Sequence, residues 1–394
     1  MKRALRTKKQ VSDAAGAAFA PDTAFAAFRQ DPANEYIKIF DARHKMIEFD
    51  REKACFFLNG KSYSYVMAVN GIGMLQHIYY GKKLSPSDAA FLWEAHGEAY
   101  APHADDFNYD MRTDVMLSEC GSYARGDFRE PTVVIERADG ARMSRFRYLS
   151  HRIVKGAIPL KEMPCARQAD ETLVITLKDD FSETEIDLKY SLSDASDVLV
   201  RSLAVRNGGS DPVKVQKAFS FCAELPDTRR NVSALRLTGA WARERTPIVS
   251  PLAEGVLRLR SSRGYSSHQM NPFLALIEES ADEERGECYG FALLYSGSFA
   301  LTAELTHNGI TRVQGGIGDE FFSWKLDAGE TLETPQAALC YSAQGLGGMS
   351  REYHDFFRTA IVDPKYVYAR RPIVVNNWDC LLYTSPSPRD RQKS

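Results

Sequence analysis

Trp378 and Asp379 are the residues of this sequence whose types best suit ligand recognition. An indole packs against an apolar C–H face while its N–H remains free to donate a hydrogen bond. Both residues follow Ile373–Asn377, whose β-branched run is typical of a parallel strand covered on both faces. If this strand belongs to a (β/α)8 barrel, its carboxyl end is where such barrels build their active sites, so Trp378 and Asp379 are candidate substrate-binding residues. The alternative for Trp378 is a structural place above the barrel core.

A second combination, Asp127 and Arg129 in YARGDFREP, has the residue types of a carboxylate supported by an arginine. A structural role is the preferred interpretation, because Gly126 permits a tight turn and both side chains are suited to hydrogen-bond neighbouring backbone. We therefore assign no catalytic residue to this segment.

Isolated histidines and a glycine-rich run provide no further catalytic constellation. His151 and His268 have no second ligand at metal spacing. Ser267 and His268 are adjacent, so on a strand they point to opposite faces, which argues against a triad. The run Gln314–Gly318 lacks the following helix and the Lys-Ser/Thr pair of a phosphate-binding loop. We predict neither a metal nor a cofactor.

The overall composition excludes several function classes. Of the 394 residues, 44% are apolar and 26% are charged, and the formal net charge of -2 provides no basic surface for nucleic acid. No apolar run approaches the ~20 residues that span a bilayer. We predict a cytoplasmic protein without nucleic-acid or membrane partners. The seven cysteines are scattered without CxxC spacing, which favours reduced, buried thiols.

Hydrophobic periodicity predicts a mainly β protein from about Ile47 to Tyr341. In Glu185–Leu192 apolar and polar residues alternate, which is typical of a half-exposed strand in an antiparallel sheet. Many short strands separated by turns predict a large β-sandwich. Hairpin-type turn signals occur at Asp139-Gly140, Asn207-Gly208-Gly209 and Ala328-Gly329.

The pattern changes to helical spacing in MSREYHDFFRTAI, residues 349–361, with Ser350 as a candidate N-cap. We predict a helix that connects the β-sandwich to a second domain. That domain begins with the strand at Ile373.

Eight segments, taken together, resemble the amino-terminal part of glycoside hydrolase family 36, the bacterial α-galactosidase type. They run in order and cover nearly all of 46–379, so their joint match is highly specific although each alone is weak. They are KSYSYVM (61–67), HIYYGKK (77–83), YARGDFREP (123–131), HRIVKG (151–156), LTGAWARER (237–245), RGYSSHQMNPF (263–273), YGFALLYSG (289–297) and NNWD (376–379).

This resemblance implies a large N-terminal β-supersandwich, a short linker helix and the first strand of a truncated (β/α)8 catalytic barrel. We place these parts at 46–345, 346–364 and 365–379. The family implies a retaining enzyme that hydrolyses terminal α-D-galactosides such as melibiose and raffinose-type sugars, often as a homotetramer. Its two catalytic aspartates lie on later barrel strands that this sequence does not contain, so the fragment itself is expected to be inactive.

The resemblance also bears on substrate contacts. The family has a similarly placed tryptophan in NNWE, which implies that Trp378 packs against galactose. Some members project an acidic residue from an N-terminal loop into the active site of a neighbouring subunit. That position falls on Gly97, with Glu94 and Glu98 nearby, and a solvated loop is the preferred interpretation here.

Both ends of the sequence are interpreted as non-native. Residues 1–45 read as upstream translation ahead of a start at Met46. Residues 380–394 form a tail that matches, over its first eleven residues, the translation of a transposase-type sequencing adapter. The overlap with the preceding codon leaves Glu as an alternative to Asp at 379. A native disordered tail is the less favoured interpretation, and a non-catalytic carbohydrate-binding or oligomerisation β-sandwich is the alternative function.

Overall fold

The computed structural model describes residues 46–85, 92, 103–105, 108–124, 126–226 and 232–374. In this part of the chain the predicted mainly β fold is confirmed, with all paired strands antiparallel. The strands are β1 (Ile47–Asp50), β2 (Cys55–Asn59), β3 (Tyr63–Val69), β4 (Leu75–Lys82), β5 (His103–Asp105), β6 (Asn108–Arg112), β7 (Val133–Glu136), β8 (Phe146–Lys155), β9 (Glu171–Asp179), β10 (Thr184–Leu192), β11 (Val198–Asn207), β12 (Val213–Leu225), β13 (Val232–Ala240), β14 (Arg243–Pro251), β15 (Gly255–Ser261), β16 (Met270–Glu278), β17 (Cys288–Leu293), β18 (Phe299–Leu305), β19 (Thr311–Ile317), β20 (Trp324–Leu326), β21 (Thr331–Glu333) and β22 (Ala337–Ser342).

The strands form two large sheets and two small ones. The ten-stranded sheet has the order β14-β13-β16-β17-β22-β11-β10-β9-β8, with β21 also pairing β11. The six-stranded sheet has the order β15-β18-β19-β12-β20, with β7 also pairing β12. The strands β1 to β4 form a third sheet, and β5 pairs with β6. Within the ten-stranded sheet, β22 joins the half that contains β17 to the half that contains β11.

The main hydrophobic core draws side chains from the three larger sheets, as expected for packed β layers. Strand β10 supplies Ile186, Leu188, Tyr190 and Leu192, the apolar set of the predicted alternation. The polar face of this strand is less exposed than predicted. Lys189 is buried because its Nζ lies 2.6 Å from an oxygen of Glu333, so the pairing carboxylate replaces water.

The three predicted hairpin turns connect different sheets. Asp139-Gly140 lies between β7 and β8, Asn207-Gly208-Gly209 between β11 and β12, and Ala328-Gly329 between β20 and β21. The turn residues are used as predicted, with φ of +81° at Gly140 and +79° at Gly329. The hairpin pairing is wrong, because the chain crosses from one layer of the sandwich to the other at each of these turns.

The predicted connector helix is present as α1 (Gly345–Phe356), and five π-helical residues, Phe357–Ile361, extend it. It begins earlier than predicted: its N-cap is Gln344 and Ser350 lies inside the helix, so the Ser350 cap is wrong. A short helix α2 (Pro364–Val367) follows, capped by the Asp363 side chain. No helix among the described residues has the length and apolar character to cross a membrane.

Helix α1 covers the outer face of the ten-stranded sheet. Met349, Tyr353 and Phe356 pack there in a second hydrophobic cluster. The close approach depends on Gly290 in β17, where a Cβ atom would lie 2.7 Å from Met349 Sδ and from a ring carbon of Tyr353. The Tyr353 hydroxyl also donates to the carbonyl of Ala338 at 2.9 Å. This part of the sheet is therefore buried on both faces.

The described chain ends in an exposed segment. Ile373 and Val374 belong to no strand and are 93% and 81% exposed. They are the part of the predicted barrel strand that the structure describes.

Candidate functional site

The residues predicted to contact substrate lie outside the described part of the chain. This applies to Trp378 and Asp379 and also to Glu94, Gly97 and Glu98. Their roles remain predictions. The structure describes two buried polar clusters and several segments that were candidate sites in the sequence.

Asp127 and Arg129 belong to a closed ring of four buried charged side chains, which we call the charge ring. Arg129 Nε lies 2.9 Å from Asp127 Oδ1, and Arg129 Nη1 lies 3.0 Å from Glu224 Oε2. Arg312 closes the ring, with Nε 2.6 Å from Glu224 Oε1 and Nη2 2.9 Å from Asp127 Oδ2. The ring ties the loop after Gly126 to β12 and β19. The structural interpretation of YARGDFREP fits this geometry.

The charge ring contains two basic and two acidic side chains, so its formal charges balance. Burial alone would raise the pKa of Asp127, but Arg312 and Arg129 outweigh burial and hold this pKa below its ordinary value. The guanidinium groups also donate to backbone carbonyls, among them Arg129 Nη2 to Thr113 at 2.7 Å and Arg312 Nη1 to Glu130 at 2.9 Å. A carboxylate held ionised in this way cannot serve as a general acid near neutral pH. The ring therefore stabilises the fold.

A second buried cluster surrounds Glu119 and joins the four-stranded sheet to the ten-stranded sheet. The Glu119 carboxylate accepts hydrogen bonds from the hydroxyls of Tyr65 at 2.7 Å and Tyr190 at 2.6 Å. It also lies 2.6 Å from His77 Nδ1 and 3.1 Å from Arg201 Nη1. The Arg201 guanidinium stacks 3.9 Å from the centre of the Tyr190 ring.

The Glu119 cluster has the composition of an active site but not its accessibility. Burial would raise the pKa of Glu119, but Arg201 and the hydrogen bond from His77 outweigh it and lower this pKa. All five side chains are buried, so no substrate reaches them in this fold. Sequence reasoning missed the cluster because its members are spread over 65–201, and no local spacing relates them.

His151 occupies a structural position, in agreement with the sequence interpretation. His151 packs between the rings of Phe49 and Phe56, and its Nδ1 lies 2.7 Å from the Tyr148 hydroxyl. Burial lowers the pKa of His151 to about 4. His268 is exposed whereas Ser267 is buried, so the two point in different directions.

The glycine-rich run lies in β19, where its glycines permit close packing. A Cβ atom on Gly315 would lie 2.1 Å from a methyl of Leu301, and one on Gly316 would lie 2.7 Å from the Cα of Phe219. The glycines are therefore required by neighbouring strands. This agrees with the rejection of a phosphate-binding loop.

Two other carboxyl groups, those of Asp179 and Glu304, have a raised pKa, but they lie on different sheets. Burial raises the pKa of Asp179 and of Glu304. Asp179 lies on β9 and accepts from the Arg145 backbone at 2.9 Å, whereas Glu304 lies on β18 and accepts from the Glu130 backbone at 2.8 Å. Each carboxyl group holds a neighbouring segment in its own sheet. Within the described ranges no three His, Cys, Asp or Glu side chains converge to hold a metal ion.

Comparison with known families gives two adjacent matches. The glycosyl hydrolase family 36 N-terminal domain matches residues 73–327, and the melibiase domain matches residues 331–386. The first match runs from just before β4 to just after β20. The second begins at β21, includes α1 and extends past Trp378 and Asp379.

Curated alpha-galactosidases match the chain over most of its length. Alpha-galactosidase AgaA of Geobacillus stearothermophilus is 35% identical over 341 residues, covering 86% of this chain and 46% of that protein. Alpha-galactosidase Mel36A of Lactobacillus acidophilus is 32% identical over 343 residues, covering 86% of this chain and 47% of that protein. The chain thus spans about half the length of these curated relatives.

Solved structures agree in fold. The alpha-galactosidase from Lactobacillus brevis superposes with a TM-score of 0.81 at 29% identity, covering 84% of this chain and 45% of that one. A substituted AgaA in complex with raffinose gives a TM-score of 0.79 at 36% identity, covering 82% of this chain and 45% of that one.

Proposed function

Because the chain belongs to glycosyl hydrolase family 36, we propose that it is the N-terminal part of a retaining α-galactosidase that hydrolyses terminal α-D-galactosides. Melibiose and raffinose-type oligosaccharides are the expected substrates. The melibiase match carries this proposal, since it continues through Trp378 and Asp379 without interruption from the β domain. Raffinose bound to the related AgaA supports the substrate class.

In the whole enzyme, Trp378 and Asp379 provide substrate contacts at the first barrel strand. The indole packs against the C–H face of galactose, and the carboxylate accepts hydrogen bonds from sugar hydroxyls. Retaining hydrolysis needs two further carboxyl groups about 5–5.5 Å apart, one as nucleophile and one as acid and base. The carboxylates of the charge ring and of Glu119 do not meet this need, because they are buried and paired with arginine. Catalysis therefore requires the barrel strands that follow.

The proposal is tested by comparing this 394-residue chain with the protein encoded by contiguous genomic DNA, using an aryl α-galactoside. The longer protein should turn over the substrate and this chain should not. In the longer protein, Trp378→Ala should lower kcat/KM about tenfold or more through the loss of aromatic contact. Trp241→Ala is the matched control, because Trp241 is exposed at the tip of the β13–β14 hairpin.

Turnover by this chain alone would contradict the proposal. A reading frame that closes near residue 379 would also contradict it, and would favour the non-catalytic carbohydrate-binding or oligomerisation module. Equal effects of Trp378→Ala and Trp241→Ala would remove Trp378 from the substrate site.

We further propose a cytoplasmic homotetramer. The free thiols support a reducing compartment: the described cysteines form no disulfide, and all but Cys165 are buried. The tetramer is an expectation from the family and is measured directly by sedimentation of the full-length protein.

A further inference from the structure

An open cleft of about 260 Å³ lies beside β15, the edge strand of the six-stranded sheet. Arg258 and Arg260 lie on one face of β15, opposite Leu259, whose side chain is in the core. The other walls are the loop 262–264 and the loop 318–322 that follows β19. The cleft is therefore on the outer side of the sandwich, remote in sequence from Trp378 and Asp379.

Both arginines of the cleft are held in ion pairs with the segment that follows β19. Arg258 pairs with Asp319 and Arg260 pairs with Glu320. The Ser262 hydroxyl donates to Glu320 at 2.6 Å. Each arginine thus meets its counter-charge within the protein, so a ligand need not be charged to bind here. Guanidinium and carboxylate groups still provide planar donors and acceptors for a ligand with several hydroxyls.

Aromatic rings complete the cleft. Phe321 is 89% exposed at its rim. Tyr295 forms part of the wall, with its ring held over Gly297, where a Cβ atom would lie 2.4 Å from ring carbon Cζ. In this cleft the exposed ring of Phe321 can contact the apolar face of a ligand while the neighbouring polar groups bind its hydroxyls.

The cleft is preformed by hydrogen bonds through Ser298. The Gly264 amide donates to the Ser298 hydroxyl at 2.9 Å, and the Gly318 amide donates to the Ser298 carbonyl at 3.0 Å. The Ser261 hydroxyl donates to the Tyr265 carbonyl at 2.6 Å. These contacts fix both loops against β18, so binding would require little ordering of the walls.

We propose that this cleft is a binding site for a neutral saccharide. Phe321 packs against the C–H face of a sugar ring, while the Arg260–Glu320 pair and Ser262 bind its hydroxyls. The small volume, below the about 300–1,000 Å³ of most ligand pockets, suits one or two sugar rings rather than a long chain. This inference goes beyond the proposed function and does not depend on it.

The test is saturation-transfer NMR on the 394-residue chain with raffinose as the probe. Phe321→Ala should weaken binding about tenfold through loss of the aromatic contact. Arg260→Lys should also weaken it, because it keeps the charge but loses the planar fork. Phe128→Ala is the matched control for an exposed phenylalanine, since Phe128 is 77% exposed away from the cleft. Thermal melting of each variant checks that it is folded.

Retained raffinose signal in Trp378→Ala, together with loss in Phe321→Ala, would support the cleft. The reverse pattern would overturn it, because binding would then belong to the predicted barrel position. Displacement of raffinose by inorganic phosphate, at matched ionic strength, would make the site an anion site and would also overturn the proposal. So would a Phe321→Ala effect confined to the sedimentation coefficient, which would identify the surface as a protein interface.

Discussion

Among the described residues, two groups of two arginines and two carboxylates differ in burial, and this difference separates their roles. The charge ring of Asp127, Arg129, Glu224 and Arg312 is buried, and its bonds are made within the protein. The cleft group consists of two separate pairs, Arg258 with Asp319 and Arg260 with Glu320, and its side chains are partly exposed. The charge ring therefore holds three segments of the fold together. The cleft group has the same residue types, but its hydrogen-bonding groups remain accessible to a ligand.

The two groups differ in the free energy that is lost when one of their ion pairs is broken. Removing one partner from a buried pair leaves an uncompensated charge in a low-dielectric interior, whereas an exposed partner is replaced by water. The same substitution in the two groups should therefore have very different effects on stability.

Arg312→Met should give the largest effect, lowering the free energy of unfolding by about 3–5 kcal/mol. The side-chain volume is nearly kept, but Glu224 and Asp127 each lose a guanidinium partner. Urea unfolding followed by circular dichroism measures the change. A loss below about 1 kcal/mol would place the ring among ordinary surface ion pairs and would remove the distinction between the two groups.

Acidification should give a smaller effect, in two pH windows. The pKa of Asp127 is lowered in the fold, mainly because the arginines outweigh burial, so its contribution is present above about pH 4, the ordinary value for Asp, and is lost as the pH falls through the folded value. Burial lowers the pKa of His151 from 6.5 to about 4. As the pH falls below 6.5, His151 therefore binds a proton more readily in the unfolded chain than in the fold, and the free energy of unfolding decreases. Unfolding free energies measured between neutral pH and roughly pH 3 should fall throughout.

Asp127→Asn isolates the part due to the ring. This variant should be less stable at neutral pH and should lose less stability in the lower window, while the upper window is unchanged. An identical pH profile for the variant and the parent chain would show that Asp127 does not titrate in this range.

Arg260→Met should give the smallest effect, within about 1 kcal/mol of the parent free energy of unfolding. Its partner Glu320 keeps the hydrogen bond from Ser262 and stays in contact with water. The same urea measurement applies, with Arg312→Met as the paired variant. A loss comparable to that of Arg312→Met would mean that the cleft group is structural.

Local patterns in the sequence predicted the elements of the fold better than their connections. Alternation in Glu185–Leu192 correctly predicted β10, and helical spacing correctly predicted α1. The glycine turns were found, yet each joins two layers, because turn chemistry reports the backbone angle at Gly140 or Gly329 but not which strands pair. Ser350 satisfied the residue preference for a cap, but the chain was already helical from Gly345.

The candidate sites were predictable only where their residues are close in sequence. Asp127 and Arg129 were recognised as a structural pair, but Glu224 and Arg312 are contributed by distant strands, so the ring itself was not predicted. The Glu119 cluster and the cleft beside β15 were missed for the same reason. Trp378 and Asp379 rest on motif context, and their geometry lies outside the described residues.

The position of β22 has a consequence for how the protein emerges during synthesis. This strand pairs with β17 on one side and β11 on the other, so it is the last strand of the ten-stranded sheet to be translated and the one that unites its halves. Until residue 342 has left the ribosome, both halves present open strand edges. A nascent chain paused before β22 would be prone to edge-to-edge association, and the sandwich can close only once this strand and the helix behind it are available.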